Sequence, residues 1–138
     1  MEEKEKKTVS LKKHGIVMII ALILQYFLGM ASNLFTQFPD IKDAGRLWLY
    51  AWSQTSLALH IILGLLLLFG SIILIIRALI KRDFIWIIAS VVGFLAIIGS
   101  VIAGAIFVTS QSNVYSFAMS VGFIVALLSY FFGVYKSK

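Results

Sequence analysis

Four long apolar stretches, separated by short polar breaks, dominate this chain of 138 residues. They lie at roughly residues 15–38, 54–80, 84–108 and 114–135. A hydrocarbon core about 30 Å thick is crossed by about 20 helical residues, and each stretch meets that length. Strands of a membrane barrel would be about ten residues long with alternating polarity, which these stretches lack. The sequence therefore predicts an all-α protein, an antiparallel bundle of four transmembrane helices.

The composition supports lipid as the solvent of this bundle. Hydrophobic residues make up 61% of the chain and charged residues 13%, against about 45–50% and about 25% in soluble domains. The absence of cysteine excludes disulfides and thiolate chemistry. The net charge of +6 lies in short clusters beside the apolar stretches. We therefore expect it to face lipid headgroups rather than nucleic acid.

The basic residues are distributed unequally between the two sides of the predicted bundle. One side has only Lys42 and Arg46. The other side carries Lys4, Lys6, Lys7, Lys12, Lys13, Arg77, Lys81, Arg82, Lys136 and Lys138. The positive-inside rule then predicts a multi-pass protein of the plasma membrane with both termini in the cytoplasm. Residues 1–14 are predicted as a basic cytoplasmic tail, 15–138 as one membrane domain, and 39–53 as its external loop.

Two features of the first half of the chain leave alternatives open. The basic start, the apolar stretch and the small residues near Gly29 also fit a cleavable signal peptide, although the stretch exceeds the usual apolar region of about 7–15 residues. We expect the loop at 39–53 to form an amphipathic turn on the outer leaflet, and a lid over an external pocket is the alternative. Its interfacial aromatic residues are Trp48, Tyr50 and Trp52.

Small residues recur at helical spacing along the third and fourth stretches. Such residues let helices approach closely in lipid, where the hydrophobic effect does not drive association. We therefore expect these two helices to form a tight antiparallel hairpin. The two stripes are Ala89, Gly93, Ala96, Ser100 and Gly104, and Ala118, Gly122, Ala126, Ser129 and Gly133.

Polar residues within the stretches concentrate in the half of the bundle next to the external loop, whereas the other half is almost entirely aliphatic and aromatic. Because a polar side chain is costly against hydrocarbon, we expect these residues to point inward together. The predicted pocket comprises Gln25, Asn33, Ser56, His60, Ser100 and Ser116.

Of the two histidines, His60 lies well within an apolar stretch. An ionisable residue inside a membrane helix suggests a functional site by default. The structural alternative is a neutral imidazole that fixes helix packing by hydrogen bonding. Its candidate partners are Gln25, Asn33 and Ser100. The other histidine, His14, lies among lysines, and we expect it to be solvated.

A haem site is the sharpest functional hypothesis for this half of the bundle. His60 and Gly64 are one helical turn apart, so a flat porphyrin can lie against the glycine while the imidazole binds iron. Met119 lies at a similar depth on the fourth stretch, and Met30 offers a second sulfur. The sequence therefore permits a b-type haem whose site comprises His60, Met119, Met30 and Gly64.

The segment Leu24-Gln25-Tyr26-Phe27-Leu28-Gly29, followed on the next helix by Ala58-Leu59-His60, resembles a half-unit of haem A synthase and related four-helix membrane cytochromes. The resemblance covers roughly residues 15–80 and implies a four-helix bundle with haem near one membrane face. This chain lacks the family's second histidine within the helices, and the acidic and cysteine residues after the first helix. The resemblance therefore implies simple haem binding rather than haem modification.

The residues disfavour catalysis. No Ser–His–Asp set is apparent, and one histidine falls short of the three protein ligands of a catalytic zinc. No carboxylate lies within a stretch, which weighs against proton- or drug-coupled transport through a membrane Asp or Glu. The first functional hypothesis is an accessory or structural membrane subunit, or a small-ligand-binding bundle, that associates with lipid and with a membrane complex or further copies of itself. The second is a b-type haem protein that transfers electrons through His60, and the third is an oligomeric channel or transporter.

Overall fold

A computed structural model describes residues 2–39 and 43–137, with side chains from residue 10 onward. All regular structure in these ranges is helical, which confirms the predicted fold class. Four of the helices are long and apolar enough to cross a membrane. Their ends lie within one turn of the predicted ends, except at the start of the first helix. The helices are α1 (Glu2–Phe35), α2 (Ala44–Ser53), α3 (Thr55–Lys81), α4 (Phe84–Ser110) and α5 (Asn113–Lys136).

The four long helices form a ring in which each packs against two neighbours. Helix α1 contacts α3 and α5, and α4 contacts the same two helices, so α3 and α5 lie diagonally opposite each other. The most extensive contact joins α4 to α5, as the small-residue stripes predict. A Cβ atom at Gly122 would lie 2.9 Å from the carbonyl oxygen of Ala96. Glycine at that position therefore sets how closely α4 and α5 can approach.

The start of α1 differs from the sequence prediction. The segment predicted as a basic tail is helical from Glu2, and α1 runs without a break to Phe35. Glu and Lys are good helix formers, and neither proline nor glycine occurs before Gly15. The loss of hydrophobicity before Gly15 thus marks the start of the apolar stretch, not the start of the helix.

The predicted external loop contains helix α2. Asp43 is its N-cap, and one of its carboxylate oxygens accepts a hydrogen bond from the backbone N–H of Arg46 at 2.8 Å. Leu47 and Ala51, one turn apart, are buried against α3 and α4. The Tyr50 hydroxyl donates to the Gln37 carbonyl at 2.8 Å and so ties α2 to the segment after α1. We call the end of the bundle that carries α2 the α2 end, and the opposite end the termini end.

The interior of the bundle is narrow and its outward faces are apolar. Leu67, Leu74 and Ile97 lie in the main core with Ala126 and Tyr130. Large side chains project outward along every long helix, among them Phe27, Leu66, Leu95 and Leu128. These outward faces need an apolar solvent, which fits a small multi-pass membrane protein.

Candidate functional site

The polar site nearest the α2 end is built from two matching pairs on α1 and α3. Gln25 and Gly29 are four residues apart on α1, and His60 and Gly64 are four residues apart on α3. The imidazole of His60 lies over Gly29, where a Cβ atom would be 2.9 Å from its Cε1. The amide of Gln25 lies over Gly64, where a Cβ atom would be 3.1 Å from its Nε2. Each glycine therefore leaves room for the polar side chain of the other helix.

Three hydrogen bonds join these pairs across the α1–α3 interface. His60 Nδ1 lies 3.1 Å from the backbone oxygen of Gln25. In return, Gln25 Nε2 donates to the backbone oxygen of His60 at 3.0 Å and lies 3.3 Å from His60 Nε2. We call this arrangement the Gln25–His60 clasp.

The acceptors in the clasp assign the histidine tautomer. A backbone oxygen can only accept, so His60 Nδ1 carries the proton and donates to Gln25. The Nε2 atom of a neutral imidazole then accepts, and the amide nitrogen of Gln25 supplies that hydrogen bond. This orientation of the amide leaves Gln25 Oε1 buried without a partner among the described residues.

The residues of the predicted haem site do not fit a haem. Both ring nitrogens of His60 are engaged by Gln25, and the surface of Gly64 is covered by the Gln25 amide. Met119 lies on the diagonal helix α5, where its sulfur would be 3.2 Å from a Cβ atom on Gly104. Met30 is 43% exposed on the outward face of α1. The structure does not support haem binding.

The other residues of the predicted pocket lie apart from the clasp. The Ser100 hydroxyl is 3.0 Å from the Ala96 carbonyl and 3.4 Å from the Met119 carbonyl, so it belongs to the α4–α5 interface. Asn33 is exposed, and Ser56 is partly buried on α3. The backbone oxygen of Ser116, which is also partly buried, accepts from Ser120 within α5. Of the six predicted residues, hydrogen bonds thus link only Gln25 and His60 to each other.

Polar groups are also buried towards the termini end, where the sequence analysis expects an apolar interior. Ser71, Ser90, Trp86 and Tyr130 are inaccessible to solvent. The Tyr130 hydroxyl and the Trp86 Nε1 atom find no hydrogen-bond partner among the described residues. The interior at this end is therefore less apolar than the sequence analysis expects. We counted tyrosine and tryptophan as apolar aromatic residues, so the polar atom of each ring was overlooked.

The sequence analysis also missed a charged cluster at the termini end. The guanidinium of Arg77 on α3 donates from Nη2 to the Ser10 hydroxyl at 2.6 Å. Its Nη1 lies 3.1 Å from His14 Nδ1. His14 is partly buried in this contact rather than fully solvated. The spacing of Ser10 and His14, one turn apart and level with Arg77, is the sequence signal that marks this cluster.

A shallow apolar groove of about 410 Å³ lies between α4 and α5. Its walls are aliphatic apart from Ser100, and Leu95 at its edge is 59% exposed. Apart from the Ser100 hydroxyl, which bonds to backbone carbonyls, such walls offer no acid, base or nucleophile. Among the described residues, no group of three or more histidine or carboxylate side chains is placed to hold a metal ion.

Comparisons of the chain with protein-family models, with curated proteins and with solved structures found no match. The resemblance to haem A synthase therefore rests on the short segments around Gln25 and His60 alone. In the structure these segments form a helix-packing contact. Fold and geometry together describe a small four-helix membrane protein.

Proposed function

We propose that this chain is a non-catalytic accessory subunit of the plasma membrane, with both termini in the cytoplasm. The observation that carries the proposal is the Gln25–His60 clasp. The polar residues with the clearest catalytic potential bond to each other and to backbone carbonyls, so they lock α1 to α3. Their ring and amide nitrogens have no remaining capacity to bind a substrate or a metal.

The distribution of charge supports the proposed topology. The described basic side chains at the termini end include Lys12, Lys13, Arg82 and Lys136, whereas Arg46 is the basic side chain described at the α2 end. Lysine and arginine favour the cytoplasmic side of a membrane. The absence of cysteine allows a clean test with single-cysteine variants at exposed positions. A membrane-impermeant maleimide should label Ser53→Cys in intact cells and should label Lys136→Cys only after the cells are opened.

Spectroscopy separates the accessory role from the haem alternative. Protein expressed with ample haem and purified in detergent should show no Soret band, either oxidised or after reduction with dithionite. His60→Ala should leave this featureless spectrum unchanged and should lower thermal stability, because it removes the clasp. A Soret band that His60→Ala abolishes would refute the proposal.

Association with a partner is the second requirement of an accessory subunit. In mildly solubilised native membranes, the tagged chain should migrate on a native gel in a complex larger than the purified chain in the same detergent. After its partners are removed, it should migrate as the purified form. Identical migration in native membranes and after purification would contradict the accessory role.

A further inference from the structure

At the termini end of the α1–α3 interface, an arginine is held by two neutral side chains. Arg77 lies one turn before the end of α3, and its guanidinium reaches Ser10 and His14 on α1. A guanidinium only donates, so His14 Nδ1 must accept. The imidazole in this contact is therefore neutral, and the hydroxyl of Ser10 is neutral as well.

The positive charge of Arg77 thus lacks an anionic partner among the side chains that the structure describes, which on α1 begin at Ser10. Asp83 is the carboxylate described at this end, and it accepts from the backbone N–H of Trp86 at 3.2 Å as the N-cap of α4. Arg77 is partly buried, so water screens its charge incompletely. Two of its five N–H groups are used by Ser10 and His14, which leaves donors for an anion.

The surroundings of Arg77 combine further positive charge with an apolar surface. Lys13 and Arg82 are exposed at the same end of the bundle. Towards the bilayer centre, Ile73 and Phe69 precede Arg77 at four-residue intervals on one face of α3, and they are 50% and 62% exposed. A molecule that placed a negative group at Arg77 could therefore lay a hydrocarbon chain along Ile73 and Phe69.

We propose that Arg77 binds the phosphate of an anionic phospholipid, with Ser10 and His14 as positioning residues. Arginine pairs with phosphate through parallel N–H···O bonds, and its two contacts to α1 restrain the guanidinium at this position. Basic pockets between transmembrane helices on the cytoplasmic side are suited to such headgroups. The apolar surface beside Arg77 selects a lipid over a soluble phosphate.

Native mass spectrometry of the full chain, delipidated in detergent, tests this proposal with phosphatidylglycerol and phosphatidylcholine as probes. The wild type should bind phosphatidylglycerol more tightly than phosphatidylcholine. Arg77→Gln should weaken phosphatidylglycerol binding by at least about tenfold, because it removes charge-assisted hydrogen bonds. Arg77→Lys should give an intermediate affinity, because lysine keeps the charge but loses the paired geometry. Arg46→Gln makes the same charge change at an exposed position of the opposite end and should keep wild-type affinity.

Three results would overturn the proposal. In the first, Arg77→Gln binds phosphatidylglycerol as the wild type does. In the second, Arg46→Gln loses as much affinity as Arg77→Gln, which would assign the preference to overall charge. In the third, glycerol 1-phosphate binds as tightly as phosphatidylglycerol, which would assign the site to a soluble phosphate. If Arg77→Gln fails to fold, Ser10→Ala serves in its place, since it frees the guanidinium while retaining its charge. It should weaken phosphatidylglycerol binding, and unchanged binding would likewise overturn the proposal.

Discussion

The Gln25–His60 clasp makes a quantitative prediction, because its three hydrogen bonds are divided unequally between side chain and backbone. Gln25→Met removes the two bonds made by Nε2 and leaves His60 Nδ1 bonded to the backbone of residue 25. His60→Leu removes the two bonds made by the ring and leaves the Gln25 amide bonded to the backbone of residue 60. The bond between Nε2 of Gln25 and Nε2 of His60 is the one that both substitutions remove.

This division fixes the size of the coupling in a double-mutant cycle. Hydrogen bonds between membrane helices contribute about 0.6 kcal/mol on average, so each single substitution should cost about 1.2 kcal/mol. The double variant should cost about 1.8 kcal/mol, because the shared bond is counted once. The coupling free energy is therefore about 0.6 kcal/mol, the contribution of a single bond, although two polar side chains are involved.

Unfolding of the purified protein by SDS in mixed micelles, followed by circular dichroism, measures the four free energies of unfolding. Asn33→Leu is the matched control, because Asn33 is a polar residue of α1 that is exposed on the outward face. It should leave the free energy of unfolding unchanged or raise it. Strict additivity of the two clasp substitutions would refute the shared hydrogen bond. Equal losses for Asn33→Leu and Gln25→Met would refute the clasp itself.

Three further substitutions test local features of the fold by the same unfolding measurement. Gly29→Ala should lower the free energy of unfolding, because its Cβ atom would lie 2.9 Å from His60 Cε1. The control Gly99→Ala, where a Cβ atom would have nothing within 4 Å, should leave that free energy unchanged or raise it slightly. Equal effects of the two substitutions would contradict the close approach of His60 to Gly29. Gln111→Gly should stabilise the protein by about 0.5–1 kcal/mol, because residue 111 is the C-cap of α4 with a positive φ of 53°, which glycine adopts without strain. A lower free energy of unfolding in this variant would contradict that conformation. Asp83→Ala should cost about 1 kcal/mol through loss of the α4 N-cap, and an unchanged midpoint would contradict the cap.

Hydrophobicity predicts the long helices well because their ends coincide with changes in solvent. It fails at the start of α1, where the helix continues through charged residues that are themselves good helix formers. It also fails at α2, which is too short to be recognised by length. The signal for α2 was nevertheless present, since Asp43 precedes Leu47 and Ala51, two apolar residues at helical spacing.

The candidate site shows which part of a membrane protein a single sequence can predict. The pairing of His60 with Gln25 was among the expected hydrogen bonds, because both residues lie at the same depth on consecutive apolar stretches. Ser32 is seven residues after Gln25, almost two full turns, and it is buried, whereas Asn33 is rotated further round α1 and is exposed. Met119 lies at a depth similar to that of His60, but on the diagonal helix. Sequence therefore gives depth and helix face, whereas the order of helices around the bundle decides which faces meet.

The two ends of the α1–α3 interface show how an ionisable residue in a membrane helix can be assigned to structure or to binding. At the α2 end, His60 is engaged through both ring nitrogens, and its partners are a neighbouring side chain and a backbone carbonyl. At the termini end, Arg77 also contacts α1, but its neutral partners leave its charge uncompensated among the described side chains. Burial alone does not distinguish the two residues, because both are partly buried. The difference lies in the remaining capacity for bonding, which is exhausted at His60 and available at Arg77, and a ligand can be recognised only where that capacity remains.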